Sequence, residues 1–224
     1  MVDLAGGTSI GRRGAICVLA KAPAPGRVKT RLAATVGDGV AVQLASAFLA
    51  DTFAMAQRIP NADVFLVLDG DFRNAPPGAA VWQQCEGDLG QRLEDVLQRG
   101  LAHHAWVVAL GTDSPGLPPQ YVEHIVELLA GNDAVLGPTA DGGFYALGAR
   151  CLAAKMLSEI RWSTENAAND AIAQLRAAGL IVATARDWFD VDTEDDLKHL
   201  EAFLRNGTID APATKVVLAR VGRL

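Results

Sequence analysis

Short apolar, β-favouring runs alternate along this chain with stretches of helical periodicity, and that alternation restricts the fold more than any other feature. The runs are Ala15–Ala20, Val64–Leu68, Trp106–Leu110, Ala134–Leu136, Phe144–Leu147 and Leu180–Ala183. Several are continuous rather than alternating with polar residues, the pattern of strands covered on both faces. Between them Leu89, Leu93, Val96, Leu97 and Leu101 share one helical face, as do Val122, Ile125, Val126 and Leu129 after Pro118-Pro119. Further helices are predicted over about 39–58, 164–178 and after Thr193. Strand-helix alternation implies an α/β domain with a mostly parallel central sheet and helices on both faces. Ligands of such sheets bind at the carboxyl ends of the strands. Polar motifs that follow an apolar run are therefore the candidates for a site.

With 224 residues, 50% of them hydrophobic and 21% charged, the chain can bury a large core as one domain. The expected domain spans residues 14–205, with an N-terminal extension over 1–13 and a tail or edge strand over 206–224. Asp71–Gly78 reads as an internal loop. The net charge of −6 excludes a general nucleic-acid binder. No apolar run approaches the ~18 residues of a membrane helix, so no membrane partner is expected. Arg12-Arg13 before Gly14–Ala20 has the look of a twin-arginine signal, but the apolar run stops at Lys21, and export is not expected. Cys17, Cys85 and Cys151 form no CxxC pair, which favours neither disulfides nor zinc and fits a cytoplasmic setting.

The charge is uneven. Residues 4–37 hold Arg12, Arg13, Lys21, Arg27, Lys29 and Arg31 and no acid, so they carry +6 and the remainder −12. Four of these cations sit in Lys21-Ala-Pro-Ala-Pro-Gly-Arg-Val-Lys-Thr-Arg31, a stiff loop leaving the first strand, where Gly26 permits a tight turn or close backbone approach. Such a loop suits a phosphate chain, although it is neither a P-loop nor a dinucleotide fingerprint. Gly111-Thr-Asp-Ser-Pro-Gly-Leu117 places Asp113 at the end of the third apolar run, where a carboxylate can ligate Mg²⁺ or Mn²⁺ or simply form a turn. In Asp190-Val-Asp-Thr-Glu-Asp-Asp-Leu197 the acids Asp190 and Asp192 share one face of an extended segment, a like-charge pair that a cation would relieve. Thr193 and Asp196 read as a capping box. Gly137–Gly148 contains Asp141-Gly142-Gly143, either a hairpin turn or glycines that admit a substrate to the backbone. Trp162 reads as core or pocket wall, and Ser163 or Thr164 as a helix cap.

Taken together, Ala20–Leu32, Gly87-Asp-Leu-Gly-Gln-Arg-Leu93, Gly111–Leu117, Gly137–Gly148, Trp162–Thr164 and Asp190–Leu197 resemble the bacterial DUF2064 or glycosyltransferase-A-like family. That family lies in the nucleotide-diphospho-sugar transferase superfamily. More distantly, the chain is similar to guanylyltransferases of molybdenum-cofactor and F420 biosynthesis. The resemblance implies a single-domain GT-A fold, with Asp113 as principal metal ligand completed by Asp190 and Asp192. It implies Lys21, Gly26, Lys29 and Arg31 on the nucleotide phosphates, with Lys29 and Asp113 catalytic. Asp141, Gly142, Gly143, Trp162 and Ser163 would line an acceptor pocket. The Gly-x-Gly-x-Arg loop of related nucleotidyltransferases is replaced by Pro23–Arg31. The Asp-x-Asp of many glycosyltransferases is missing at Asp113 and occurs instead at Asp190-Val-Asp192. The function expected first is a Mg²⁺-dependent (or Mn²⁺-dependent) nucleotidyltransferase joining a nucleoside triphosphate to a small phosphorylated acceptor. A nucleotide-sugar-dependent glycosyltransferase is the alternative, and a catalytically silent nucleotide-binding protein the third.

Overall fold

A computed structural model describes residues 13–158, 160–162 and 164–224. The strands are β1 Gly14–Lys21, β2 Ala62–Asp69, β3 Ala80–Gln83, β4 Val107–Gly111, β5 Ala134–Pro138, β6 Phe144–Ala149 and β7 Val182–Thr184. The helices are α1 Thr30–Val36, α2 Asp38–Ala56, α3 Leu89–Leu101, α4 Pro119–Leu128, α5 Ala167–Ala177, α6 Glu194–Arg205 and α7 Pro212–Arg220. The seven strands form one sheet in the order β3-β2-β1-β4-β6-β5-β7. Only β6 runs against the others, pairing antiparallel with β4 and β5. The sheet is therefore mostly parallel, as the buried runs predicted. The turn between β5 and β6 consequently lies at the same edge as the carboxyl ends of β1, β2 and β4.

Alternation along each strand feeds two cores. Ile16, Val18, Leu66, Leu68, Val108 and Leu110 point towards α2 and α4, meeting Leu49, Phe53, Val122 and Ile125. Ala15, Cys17, Val67, Val107, Ala109 and Leu136 point the other way, towards α3 and α5. Burial pushes the Cys17 thiol up to about 12, consistent with an inert core residue. Cys151 is exposed, because it follows the end of β6. A third cluster lies outside α2, where Leu44 and Phe48 meet Leu32, Val191, Leu197, Leu200, Val217 and Leu218. Packed on two sides, α2 is apolar nearly all round. Its length and mean hydropathy of 1.4 would suffice to cross a bilayer, but most of it is buried within the protein.

The sequence reading needs correction at three places. Residues 206–224 are neither a tail nor an edge strand. They contain α7, which buries Thr214, Val217 and Leu218. Asp51 of α2 caps this helix, accepting hydrogen bonds from the amides of Ala213 and Thr214, each at 2.9 Å, and from the Thr214 hydroxyl at 2.7 Å. The second correction is β3, a four-residue exposed edge strand that the sequence reading did not include. The third concerns α5, which starts at Ala167 rather than Thr164. The Thr164 hydroxyl donates to the Arg161 carbonyl at 2.9 Å instead of capping a helix. Ser163 and residues 1–12, including Arg12, lie outside the described residues.

Candidate functional site

A cleft of about 900 Å³ opens at the carboxyl ends of β1, β2, β4 and β5. Its floor is built by one splice between distant segments. The Val191 amide donates to the Asp113 carbonyl at 2.8 Å, tying the loop after β4 to the segment before α6. Val191 is fully buried, so its neighbours Asp190 and Asp192 are turned to the other side, where both line the cleft with Asp113. The capping box predicted at Thr193 and Asp196 is present and stiffens the same segment.

Lys29 closes this floor. It is the N-cap of α1 with φ 46° and ψ 42°, a left-handed backbone that non-glycine residues adopt sparingly. Its side chain is only 5% exposed, and its Nζ forms ion pairs with Asp113 and, at 2.9 Å, with Asp192. The Phe48 ring lies 5.5 Å from the ammonium. Burial works to lower the Lys29 pKa, but the carboxylates of Asp113 and Asp192 outweigh it and hold the ammonium above its ordinary value. An ammonium has three donors. Two are engaged by these carboxylates, which leaves one for a ligand. The Asp190 carboxyl is pushed up to about 6, first by burial and then by the negative charges of Asp141 and Asp192. Four carboxylates thus face one another across a floor that holds a single buried cation.

Cations collect on one side. The Ala24–Arg27 turn closes with an Arg27 amide to Ala24 carbonyl bond of 3.1 Å, with Pro25 and Gly26 (φ 71°) in its centre, the type II pattern. Lys21, Arg27 and Arg31 from this segment line the cleft beside Lys29, whereas Gly26 does not. Of the two readings of Gly26, its positive φ bears out the tight turn. Asp69 at the end of β2 holds two arginines, Arg92 of α3 at 2.8 Å and Arg27 at 3.3 Å. The Arg92 hydrogen bond above all keeps the Asp69 carboxyl below the usual carboxylate range. Gln84 accepts from Arg92 at 3.2 Å while its own amide donates to the carbonyls of Ala20 and Val67.

The opposite wall comes from the β5–β6 turn and the segment before α5. Asp141 Oδ1 accepts from the Thr139 hydroxyl at 2.6 Å and the Gly143 amide at 3.0 Å, a side-chain-closed turn. Asp141, Gly143 and Trp162 line the cleft as expected. Gly142 does not. A Cβ there would lie 1.8 Å from the Glu165 carbonyl oxygen, so this glycine admits the chain before α5 rather than a substrate. Trp162 has a similar seat. A Cβ on Gly90 would fall 2.9 Å from the indole nitrogen. Trp162 meets Phe144 edge-on, with ring centroids 6.1 Å apart.

Residues 33–164 match the family described as "Uncharacterized protein conserved in bacteria (DUF2064)". The chain belongs to the DUF2064 family. Among solved structures, this DUF2064 chain is similar to a Desulfovibrio desulfuricans G20 protein assigned provisionally to the nucleotide-diphospho-sugar transferases. The two share 29% identity and a TM-score of 0.83, over 92% of this chain and 94% of that one. It also resembles a CMP:2-keto-3-deoxy-manno-octonic acid synthetase complexed with CTP, at 14% identity and TM-score 0.57, over 87% and 99% of the two chains. A third likeness is to the 4-diphosphocytidyl-2C-methyl-D-erythritol synthase of Anaerococcus prevotii DSM 20548, at 11% identity and TM-score 0.55, over 86% and 96%. No curated protein matches. These likenesses agree with the α/β sheet order and with the GT-A type of fold expected from the motifs. Sequence reasoning missed Asp69, Gln84 and Arg92 as parts of the cleft. Arg92 lies within the quoted motif Gly87–Leu93, and that was the available signal.

Proposed function

We propose that this protein is a metal-dependent, nucleotide-using transferase, and that it performs nucleotidyl transfer. The observation that carries this reading is the placing of Lys29 between Asp113 and Asp192, with a cationic wall beside it. Lys21, Arg27, Arg31 and Arg92 offer a phosphate chain several donors along one side of the cleft. Lys29 keeps one donor free to meet the same phosphates at the floor. The CTP bound by one structural neighbour supports a nucleotide as the ligand.

The donor set also fits a hard divalent cation. Asp113, Asp190 and Asp192 offer oxygen ligands around a single buried cation, and the Asp190 carboxyl is raised first by burial and then by Asp141 and Asp192. Among the described residues no three acidic, histidine or cysteine side chains form a ready-made metal cluster. The same carboxylates would therefore hold Mg²⁺ or Mn²⁺ jointly with phosphate oxygens, the usual arrangement for Mg²⁺. The cation would neutralise phosphate charge when bound. The protein's own groups align the triphosphate, and an acceptor oxygen attacks the α-phosphorus as the bond to pyrophosphate breaks; where that oxygen is a hydroxyl, its proton passes to a carboxylate of the cleft. Lys29 stabilises the leaving pyrophosphate. A glycosyltransferase would use the same floor to release a nucleoside diphosphate from a nucleotide sugar. The provisional assignment of the Desulfovibrio protein favours that second reading.

A thermal-shift panel of nucleoside triphosphates and nucleotide sugars, with and without Mg²⁺ or Mn²⁺, tests both. Stabilisation of about 2.7 kcal/mol is expected at ~100 times the dissociation constant. Metal-dependent stabilisation by one triphosphate, lost in Asp113→Ala, together with pyrophosphate release, is the expected result. Preference for a nucleotide sugar with release of nucleoside diphosphate would replace nucleotidyl by glycosyl transfer.

A further inference from the structure

The two walls of the cleft differ in charge and in hydrogen-bonding sense, and the difference specifies the acceptor. Every Lys and Arg among the described lining residues belongs to β1, the segment up to Arg31, or α3. The facing wall presents Thr139, Asp141, Phe144, Trp162, Thr164 and Glu165, with no cation. Arg161 is close in sequence, but it is paired with Asp170 at 3.0 Å and is not part of the lining. Lys29 lies on the floor, paired with Asp113 and Asp192, with its remaining donor turned to the phosphate side by the proposal above.

Apart from the Trp162 indole N–H, which is buried against Gly90 and has no partner among the described residues, the polar side chains of this wall offer acceptors. Asp141 Oδ2 has no hydrogen bond among the described residues, and Glu165 is exposed. The hydroxyl protons of Thr139 and Thr164 are already donated, to Asp141 and to the Arg161 carbonyl, so both oxygens offer lone pairs. A phosphate group is itself rich in acceptors and anionic. On this wall it would meet Asp141 and Glu165, with no cationic side chain among the wall residues to offset them. Hydroxyl groups match the wall in the opposite way, because each O–H can donate to a carboxylate. The Phe144–Trp162 pair, with the indole seated on Gly90, adds a firm apolar surface for the C–H face of a ring.

We propose that the acceptor bound here is an unphosphorylated polyhydroxylated compound, a carbohydrate or alditol, rather than the phosphorylated acceptor expected from sequence. This inference rests on the transferase reading and names the substrate class of its second site. The test uses the full chain with Mg²⁺ and the triphosphate that stabilises it most. A panel of free hexoses, pentoses and alditols is offered, each beside its own terminal phosphate ester. Binding is followed by saturation-transfer NMR and transfer by mass spectrometry of the products. The free compound is expected to bind about tenfold tighter, or better, than its ester. In the Asp141→Asn/Glu165→Gln double variant that preference should shrink severalfold. Asparagine keeps an oxygen for Thr139 and Gly143, so the turn can persist. Preference for the ester, equal use of the two, or use of neither overturns the inference while nucleotide binding stands. Loss of metal-dependent nucleotide stabilisation in the unaltered protein overturns the transferase reading beneath it.

Discussion

Lys29 is buried, left-handed in its backbone and shared by two carboxylates, and these three facts explain one another. A non-glycine residue in the left-handed region costs on the order of 1–3 kcal/mol and persists where its surroundings over-determine it. Here the ion pairs to Asp113 and Asp192 do so. Lys29→Met removes the cation and leaves the two acids facing each other, so a loss of about 1–3 kcal/mol is expected in urea unfolding, kept moderate because both acids are partly exposed. Under the proposed nucleotidyl transfer, Asp113→Ala should lower the rate of pyrophosphate release by a factor on the order of 10² or more, because it removes both the proposed metal ligand and an ion-pair partner of Lys29. Asp190 gives a signed pH effect. Its carboxyl is raised to about 6, so the folded protein binds its proton more tightly than the unfolded chain does. The contribution from the protonated form is complete below the unfolded value near 4 and is lost as pH rises through about 6. Without divalent metal, Asp190→Asn should match the parent near pH 4 and exceed it above pH 7. The residue is only half-buried, so the gain is held to about 1 kcal/mol or less. Equal stabilities above pH 7 would refute the burial and charge assignment.

At the scale of elements, what could be read from sequence was what is fixed locally. Five strands announced themselves through largely buried apolar runs, and the edge strand β7 through the short run Leu180–Ala183. β3 did not, since it is a four-residue exposed edge strand and a run that short does not separate strand from loop. The helix α7 was hidden for a different reason. Its Asp51 cap lies 163 residues away from Thr214 in the chain, and no local pattern records that pairing. Asp51→Ala should therefore cost about 1–2 kcal/mol in chemical denaturation, in line with loss of a helix cap and of hydrogen bonds to a buried hydroxyl. Within the site, Lys29, Asp113, Asp190 and Asp192 were legible because each stands just beyond an apolar strand or on one face of an extended segment. Gly26 and Gly142 kept two readings because a glycine reports only that something is close or that φ is positive. The structure supplies the turn at one and the Glu165 carbonyl at the other. Gly142→Ala, with a Cβ placed 1.8 Å from that oxygen, should be among the most destabilising small substitutions, at about 2–4 kcal/mol by denaturation.

For the molecule as a whole, the charge pattern has two effects that act over different distances. The protein is acidic, with −6 overall, and residues 4–37 carry +6 against −12 elsewhere. Seen from far away, the acidic surface repels an anionic nucleotide. Inside the cleft, Lys21, Arg27, Arg31 and Arg92 act at close range, where pair interactions exceed those of dispersed surface charges. Salt separates the two effects. Between about 0.1 M and about 1 M ionic strength the screening length falls from ~10 Å to ~3 Å. Repulsion by the distant acids is already weak at the lower salt, so the main loss on raising it is the local attraction. The dissociation constant of a nucleoside triphosphate should therefore rise on the order of tenfold over that range, as read by titration calorimetry. An uncharged acceptor on the Asp141–Trp162 wall should change by less than about twofold over the same range, because it gains no ionic attraction to lose. A triphosphate affinity that stays level or improves with salt would mean that the dispersed acids dominate and that the cationic loop does not hold the phosphates.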